Sequence, residues 1–218
     1  IPMIVHVLNR AKESDVGEVF VATPDEEIIN IIKRNGGNAL LTKEDHLSGS
    51  DRIYEAYISK LKNNVDLIIN LQGDMPNIKP EDILKLERLM RKNKCDIGTL
   101  ASKLKNNEEI NDKNVVKVRV EEELNTNNFV LTKDFFRIKK DLDKDKIYHH
   151  IGIYAFTNAA LTKYVKLSRS ELEIKRNLEQ MRALENNMII KTGLSLSAPL
   201  SVDTKEDLNE VIKEMNKI

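Results

Sequence analysis

An α/β fold, with a mostly parallel sheet flanked by helices, is predicted by three features of the 218-residue sequence. Helical and strand-like segments alternate through the first hundred residues, as in sheets whose strands are joined by crossover helices. The most apolar strand-like run, Leu67-Ile68-Ile69, is bounded by polar residues, as expected for a strand covered on both faces. The composition, 40% hydrophobic and 32% charged, is that of a chain able to bury a sizeable core. With no internal repeat and no convincing linker, residues 1–218 read as one domain.

Pro2 suits the first turn of a helix, where its missing N–H costs nothing. Met3, Val7 and Leu8 then fall on one face. A chain that opens directly on a helix reads as one whose beginning lies upstream of Ile1. Residues 18–23 form a short buried strand closed by Pro24-Asp25. The helix over 25–34 carries Ile28, Ile29, Ile31 and Ile32 and stops at Asn35-Gly36-Gly37, residues that tolerate left-handed backbone. A strand over 39–42 follows. The helix over 50–61 has Ile53, Ala56, Tyr57 and Leu61 in helical spacing. The strand over 66–71 precedes a helix over 80–92 and a strand over 96–101. The rhythm then changes. Residues 115–120 and 128–132 read as a hairpin turning through 121–127. The alternating Lys and Asp of 139–146 read as a solvated loop. A strand over 148–156, helices over 159–164 and 171–185, a strand over 188–192 and a helix over 204–217 complete the chain. Residues 104–150 therefore stand out as an inserted β-rich stretch.

Charge and composition exclude several classes of function. Thirty-five Lys plus Arg balance 35 Asp plus Glu, so general nucleic-acid binding lacks its usual electrostatic support. A local basic pocket for a small anion needs no basic protein. The longest apolar runs fall short of a membrane span, so no membrane role is expected. The single cysteine, Cys95, excludes an intramolecular disulfide framework and a Cys-based zinc site, and the chain reads as intracellular. Cys95, and Met3, Met90, Met181 and Met188, read as structural.

In open parallel sheets, ligands bind beyond the carboxyl ends of strands, so the segments that follow strands hold the candidates. Gln72-Gly73-Asp74-Met75-Pro76 follows the most apolar strand. Gly73 permits close backbone approach, Gln72 offers a donor and an acceptor, and Asp74 sets a carboxylate suited to Mg²⁺ at the mouth of the sheet. Turn chemistry alone also accounts for this pattern. Asp203-Thr204-Lys205-Glu206-Asp207 fits a capping box and equally a second metal carboxylate, with Asp203 on the metal and Thr204 on the helix. His46-Leu47-Ser48-Gly49-Ser50-Asp51-Arg52 opens a helix and offers backbone N–H groups, or else a capping Ser48 or Ser50. His149 and His150, adjacent on a strand, point to opposite faces and do not form a metal pair. Glu179 and Gln180 lie on the predicted 171–185 helix, where a buried Glu needs a partner.

Taken in order, these segments resemble the CMP-Kdo synthetases, the 3-deoxy-manno-octulosonate cytidylyltransferases. The carrying stretches are Ile1-Pro2-Met3-Ile4-Val5-His6-Val7, Val21-Ala22-Thr23-Pro24-Asp25-Glu26, the 46–52 and 70–76 segments, His150-Ile151-Gly152-Ile153-Tyr154, Leu178-Glu179-Gln180-Met181-Arg182-Ala183-Leu184, and 202–208. Departures include Met75, Pro24 and Lys205 where the family usually has Glu, Asp and Pro. Upstream of Ile1 the family carries a strand and a basic loop that grips the triphosphate, and either the full polypeptide is expected to include them or this chain is not expected to be active alone.

The resemblance implies a nucleotide-diphospho-sugar transferase fold of glycosyltransferase-A type, with 104–150 as a dimerisation region. It implies activation of Kdo with CTP to give CMP-Kdo and pyrophosphate, serving lipopolysaccharide biosynthesis, by a cytoplasmic homodimer that uses Mg²⁺. By similarity, Asp74 and Asp203 hold the metal and are catalytic. Gln72, His150, Glu179 and Gln180 bind the sugar acid, and Ser48, Gly49 and Arg52 lie at the cytosine. Two rivals stay open at this level: a cytidylyltransferase for a sialic-type acid, and a non-catalytic nucleotide-binding subunit.

Overall fold

A computed structural model describes residues 1–61, 65–106, 108–138 and 146–216. The chain divides into two compact units. The first is Ile1–Asn64, Leu71–Lys85 and Ser197–Ile218. The second is Val65–Asn70 and Leu86–Leu196.

The first unit is built as the sequence predicts. Helix α1 (Met3–Glu13) is followed by β1 (Phe20–Thr23), α2 (Glu26–Arg34) and β2 (Asn38–Leu41). The two strands pair in parallel, Phe20 opposite Asn38 and Thr23 opposite Leu41. Asp25 caps α2 by accepting from the N–H groups of Glu27 (2.7 Å) and Ile28 (3.3 Å). Val5, Leu8 and Ile32 form the centre of this unit's core, with Ile4, Val19, Val21, Ile28, Ile31 and Ala39 against them. Gly37 packs closely on this core: a Cβ there would lie 2.6 Å from Leu8 Cδ2 and 2.8 Å from Ile32 Cγ2, so those buried side chains would have to shift. Helix α3 (Gly49–Ala56) runs into a π-helical turn over Tyr57–Leu61.

In the second unit, β3 (Leu67–Leu71) precedes α4 (Pro80–Lys92), a helix shared by both units. Then follow β4 (Ile97–Ser102), β5 (Lys117–Val120), β6 (Phe129–Phe136), β7 (Ile147–Thr157), α5 (Asn158–Tyr164), α6 (Glu171–Arg176), α7 (Gln180–Glu185) and β8 (Ile190–Leu194). Helix α8 (Lys205–Met215) returns to the first unit. The sheet order is β3-β7-β4-β8-β6-β5, and β5 also pairs with β7. Strand β4 is buried along its whole length.

The expected mostly parallel sheet is corrected to a mixed one. Of this sheet's pairs whose register is described, β4–β8 is parallel, whereas β4–β7, β5–β6, β5–β7 and β6–β8 are antiparallel. The reason lies in the connection from β4 to β8. It runs through a hairpin and a long returning strand, and hairpins pair antiparallel. The predicted β-rich stretch is thus woven into the main sheet. Lys117 on β5 is wholly buried, with Nζ donating to the carbonyls of Asp112 (2.7 Å) and Val115 (2.8 Å).

The single helix expected over 171–185 is two helices. Asn177 adopts left-handed backbone (φ 51°, ψ 50°) and ends α6, as a C-terminal asparagine can. Without a Gly or Pro, the apolar spacing reads straight through this break. The 139–145 part of the predicted Lys/Asp loop lies outside the described residues.

Candidate active site

Asp74 and Asp203 belong to the same unit, and the loops that carry them are stitched together. Val202 N–H donates to the Asp74 carbonyl at 3.0 Å, and Leu200 N–H donates to Asn77 Oδ1 at 3.0 Å. Ser201 Oγ donates to Asp74 Oδ2 at 2.8 Å. The other carboxylate oxygen, Asp74 Oδ1, is buried with no hydrogen-bond partner. Burial pushes the Asp74 carboxyl above its usual range, against the Ser201 hydrogen bond, and the charge of Asp203 adds to the rise. Asp203 itself is exposed.

Thr204, not Asp203, caps α8. Thr204 Oγ1 accepts from Asp207 N–H at 3.2 Å, and Asp207 Oδ2 accepts in return from the N–H groups of Thr204 (2.8 Å) and Asp203 (3.1 Å). The two readings of this segment are therefore compatible: the cap leaves the Asp203 carboxylate unspent. Gln72, half-buried, makes no side-chain hydrogen bond among the described residues.

Ser48 caps α3, accepting from Asp51 N–H at 3.2 Å and donating to Asp51 Oδ2 at 2.8 Å. Gly49 is the first helical residue. Arg52 reaches back to the preceding segment, donating to Thr42 Oγ1 (2.6 Å), the Lys43 carbonyl (2.8 Å) and the Glu44 carbonyl (3.5 Å). One turn on, Glu55 accepts from Lys43 N–H at 3.1 Å and makes a short contact with His46 Nε2. The His46 hydrogen bond holds the Glu55 carboxyl below its usual range. Arg52 and Glu55 together fix the path of residues 42–46 into the helix start.

His150, Glu179 and Gln180 belong to the second unit. His150 is buried, packed edge-on to Phe135 (5.0 Å between centroids) and 5.3 Å from the Tyr154 ring. Burial first, and the neighbouring His149 second, push its pKa down to about 3. His149 pairs instead with Glu109, Nδ1 to Oε1 at 2.7 Å, so the two histidines do take separate partners. Glu179 sits at the N-cap of α7 and Gln180 is its first residue, rather than both lying mid-helix. The Glu179 carbonyl accepts from Tyr164 Oη at 2.8 Å. Burial raises the pKa of Tyr154 well above its normal value, and the charge of Glu179 contributes.

Beneath these residues, Arg182 donates twice to Glu173, at 2.8 and 2.6 Å, and its guanidinium lies 4.7 Å from the Tyr164 ring centroid. Sequence reading missed Ser201, Glu55, Thr99 and Tyr164. Of these, only Thr99, a hydroxyl within the otherwise apolar run 97–101, left a trace in the pattern. The open concavity of about 450 Å³ lined by Lys105, Asn106, Glu108, Glu109, Asn111 and Asp112 holds none of the predicted site residues.

A family model described as cytidylyltransferase matches residues 1–191. The 3-deoxy-manno-octulosonate cytidylyltransferase of Brucella ovis is 41% identical over 210 residues, 95% of this chain and 83% of that protein. A solved structure of CMP:2-keto-3-deoxy-manno-octonic acid synthetase complexed with CTP is similar at a TM-score of 0.86 and 32% identity, covering 99% of this chain and 88% of that one. The 4-diphosphocytidyl-2C-methyl-D-erythritol synthase of Anaerococcus prevotii shares the fold at a TM-score of 0.64 and 17% identity, covering 98% and 89%.

Proposed function

The chain belongs to the 3-deoxy-manno-octulosonate cytidylyltransferase family, and from that premise we propose that it activates Kdo with CTP. It is a nucleotidyltransferase. The anomeric 2-hydroxyl of Kdo attacks the α-phosphorus of CTP and an O–P bond forms. The bond from the α-phosphorus to the bridging oxygen breaks, pyrophosphate leaves, and the hydroxyl proton is released as CMP-Kdo forms. The observation that carries this reading is the likeness to 3-deoxy-manno-octulosonate cytidylyltransferases along 95% of the chain.

Both reactants are anions, so the protein must align them and offset their repulsion; positioning and electrostatics supply nearly all catalysis in such transfers. The Asp74 and Asp203 carboxylates fit a Mg²⁺ site. They are hard oxygen donors, one has a buried oxygen without a partner, and the two repel each other in the absence of a cation. Mg²⁺ bound there would polarise phosphate oxygens and lower the pKa of the attacking hydroxyl. Ser201 orients the Asp74 carboxylate.

By family resemblance, Gln72, His150, Glu179 and Gln180 recognise the sugar acid. The Ser48-Gly49 backbone reads the cytosine edge, where a carbonyl facing the N4 donor selects cytosine over uracil. The hydrogen bonds of Arg52 to residues 42–44 support a role in shaping that loop. We further assign residues 104–150 to the interface of a homodimer, and the reaction to the cytoplasm in supply of lipopolysaccharide biosynthesis. Among the described residues no helix is long and apolar enough to cross a membrane.

The test is pyrophosphate release with CTP, Kdo and Mg²⁺, with UTP and a sialic acid as competing substrates. CMP-Kdo is the expected product, and no release with Kdo would overturn the reading. Equal product from UTP would overturn the cytosine-loop assignment. A monomer at micromolar concentration in sedimentation would overturn the dimer.

A further inference from the structure

We propose that Thr99 fixes the His150 imidazole as its Nε2–H tautomer, leaving Nδ1 to accept a hydrogen bond from a hydroxyl of the sugar acid. The sugar-acid half of this inference rests on the function proposed above. The tautomer half rests on counting protons. Thr99 is wholly buried on β4. Its Oγ1 lies 2.7 Å from the Ile153 carbonyl oxygen, 3.3 Å from that of Ile151, and 3.0 Å from His150 Nε2. A hydroxyl has one proton, and a carbonyl has none. Two oxygens 2.7 Å apart need a proton between them, so the hydroxyl proton is committed to Ile153. Thr99 therefore turns a lone pair to His150, and the proton in that contact must come from Nε2.

In a neutral imidazole the other nitrogen is then an acceptor. The ring is neutral because it is buried, packed against Phe135 and Tyr154 on β6 and β7, and the neighbouring His149 further disfavours its charge. Glu109, in the short turn Glu109–Asn111, is engaged by His149. Among the described residues Nδ1 makes no hydrogen bond.

A local irregularity of the sheet produces the arrangement. Thr99 is opposite Tyr154, but Leu100 is opposite Ile151, so β7 carries two extra residues at this point. The bulge brings two carbonyls of β7 to one hydroxyl, and bulges re-aim groups in this way beside functional sites. The chemical consequence is selective. A group that meets Nδ1 must donate, so a sugar hydroxyl is accepted there, whereas a carboxylate or keto oxygen is not. The acid's negative charge is left to other residues. Thr99 acts through His150 and is a positioning residue.

The experiment combines ring ¹⁵N NMR of His150 with kinetics. In the wild-type chain, two-bond ¹H–¹⁵N spectra between pH 6 and 8 should show a neutral ring protonated at Nε2. Addition of Kdo should move the Nδ1 resonance and leave Nε2 in place. Thr99→Val should lose the pure Nε2–H pattern and raise KM for Kdo on the order of tenfold, with a smaller change in kcat. Thr99→Ser, which keeps the hydroxyl, should restore both. An Nδ1–H or imidazolium pattern in the wild type, or a Thr99→Ser variant that behaves like Thr99→Val, would overturn the proposal. If Thr99→Val fails to fold, the wild-type and Thr99→Ser spectra still decide. An Nε2–H ring in a protein that forms no CMP-Kdo would refute the sugar-acid reading and leave the tautomer standing.

Discussion

The chain holds two pairs of charged side chains that are treated in opposite ways. In the second unit, Glu173 and Arg182 are each about 2% exposed, and every oxygen of Glu173 is used: Arg182 bonds both, with Ser170 N–H at 3.1 Å and Arg169 at 3.2 Å adding to them. Burial alone would raise the Glu173 carboxyl, but these hydrogen bonds win and hold it below its usual range. In the first unit, Asp74 keeps a buried oxygen with no partner, and its charged neighbour Asp203 is of the same sign. Satisfied buried charge fixes a structure. Unsatisfied buried charge is a cost that persists where something binds.

The largest effect should come from the unsatisfied pair. Asp74→Asn and Asp203→Asn each lower turnover on the order of 100-fold or more with folding retained. Near-normal turnover would remove the metal assignment and, with it, one side of the contrast. Arg182→Met should do the reverse. Removing the partner that bonds both oxygens of buried Glu173, with only Arg169 and the Ser170 N–H left to it, costs roughly 3 kcal/mol in urea unfolding, and pairing the change with Glu173→Leu recovers part of it. A loss below about 1 kcal/mol would show that the pair does not hold the fold.

Acid titration sharpens the contrast further. The folded value of His150 lies at about 3 against an ordinary 6.5, so the unfolded chain takes up the proton first. Its contribution to stability is full above about pH 6.5 and is lost as pH falls toward 3. Glu173, also held low, contributes above its ordinary 4.5 and is lost below it. Unfolding free energies at pH 7 and pH 5 should therefore fall less for His150→Gln than for the wild type, and an equal fall would contradict a buried neutral ring. The smallest effect is expected at the α8 cap. Thr204→Ala should cost about 1 kcal/mol and leave KM for CTP unchanged, since the cap and the Asp203 carboxylate are separate.

Local order was legible where local chemistry decides it. Asp25 before a run of isoleucines, and Asn35-Gly36 after it, mark α2 to within a residue. Asp74 and Asp203 could be found because they follow strand-like and loop segments at the positions where sheets bind ligands. What could not be read depends on distant partners. Strand β6 runs on to Phe136, past the predicted end at residue 132, because Lys133 pairs with Glu121 and Asp134 with Arg176, at 2.7 and 2.5 Å. Those ion pairs let polar residues continue a strand that their composition alone would end. The mixed pairing of the sheet, Ser201 on Asp74 and Thr99 on His150 are likewise matters of register, which no window of sequence contains.

Asn177 gives the break between α6 and α7 a further meaning. Had the helix continued, each later residue would point along a direction set by the ones three and four places before it. One left-handed dihedral resets that phase, and the Glu179 carbonyl meets the Tyr164 hydroxyl as a result. The orientation of Glu179 and Gln180, the two residues proposed to recognise the sugar acid, is thus encoded at a position outside that proposed site. Selectivity in this stretch can drift or be engineered through main-chain geometry, while every contacting side chain keeps its identity.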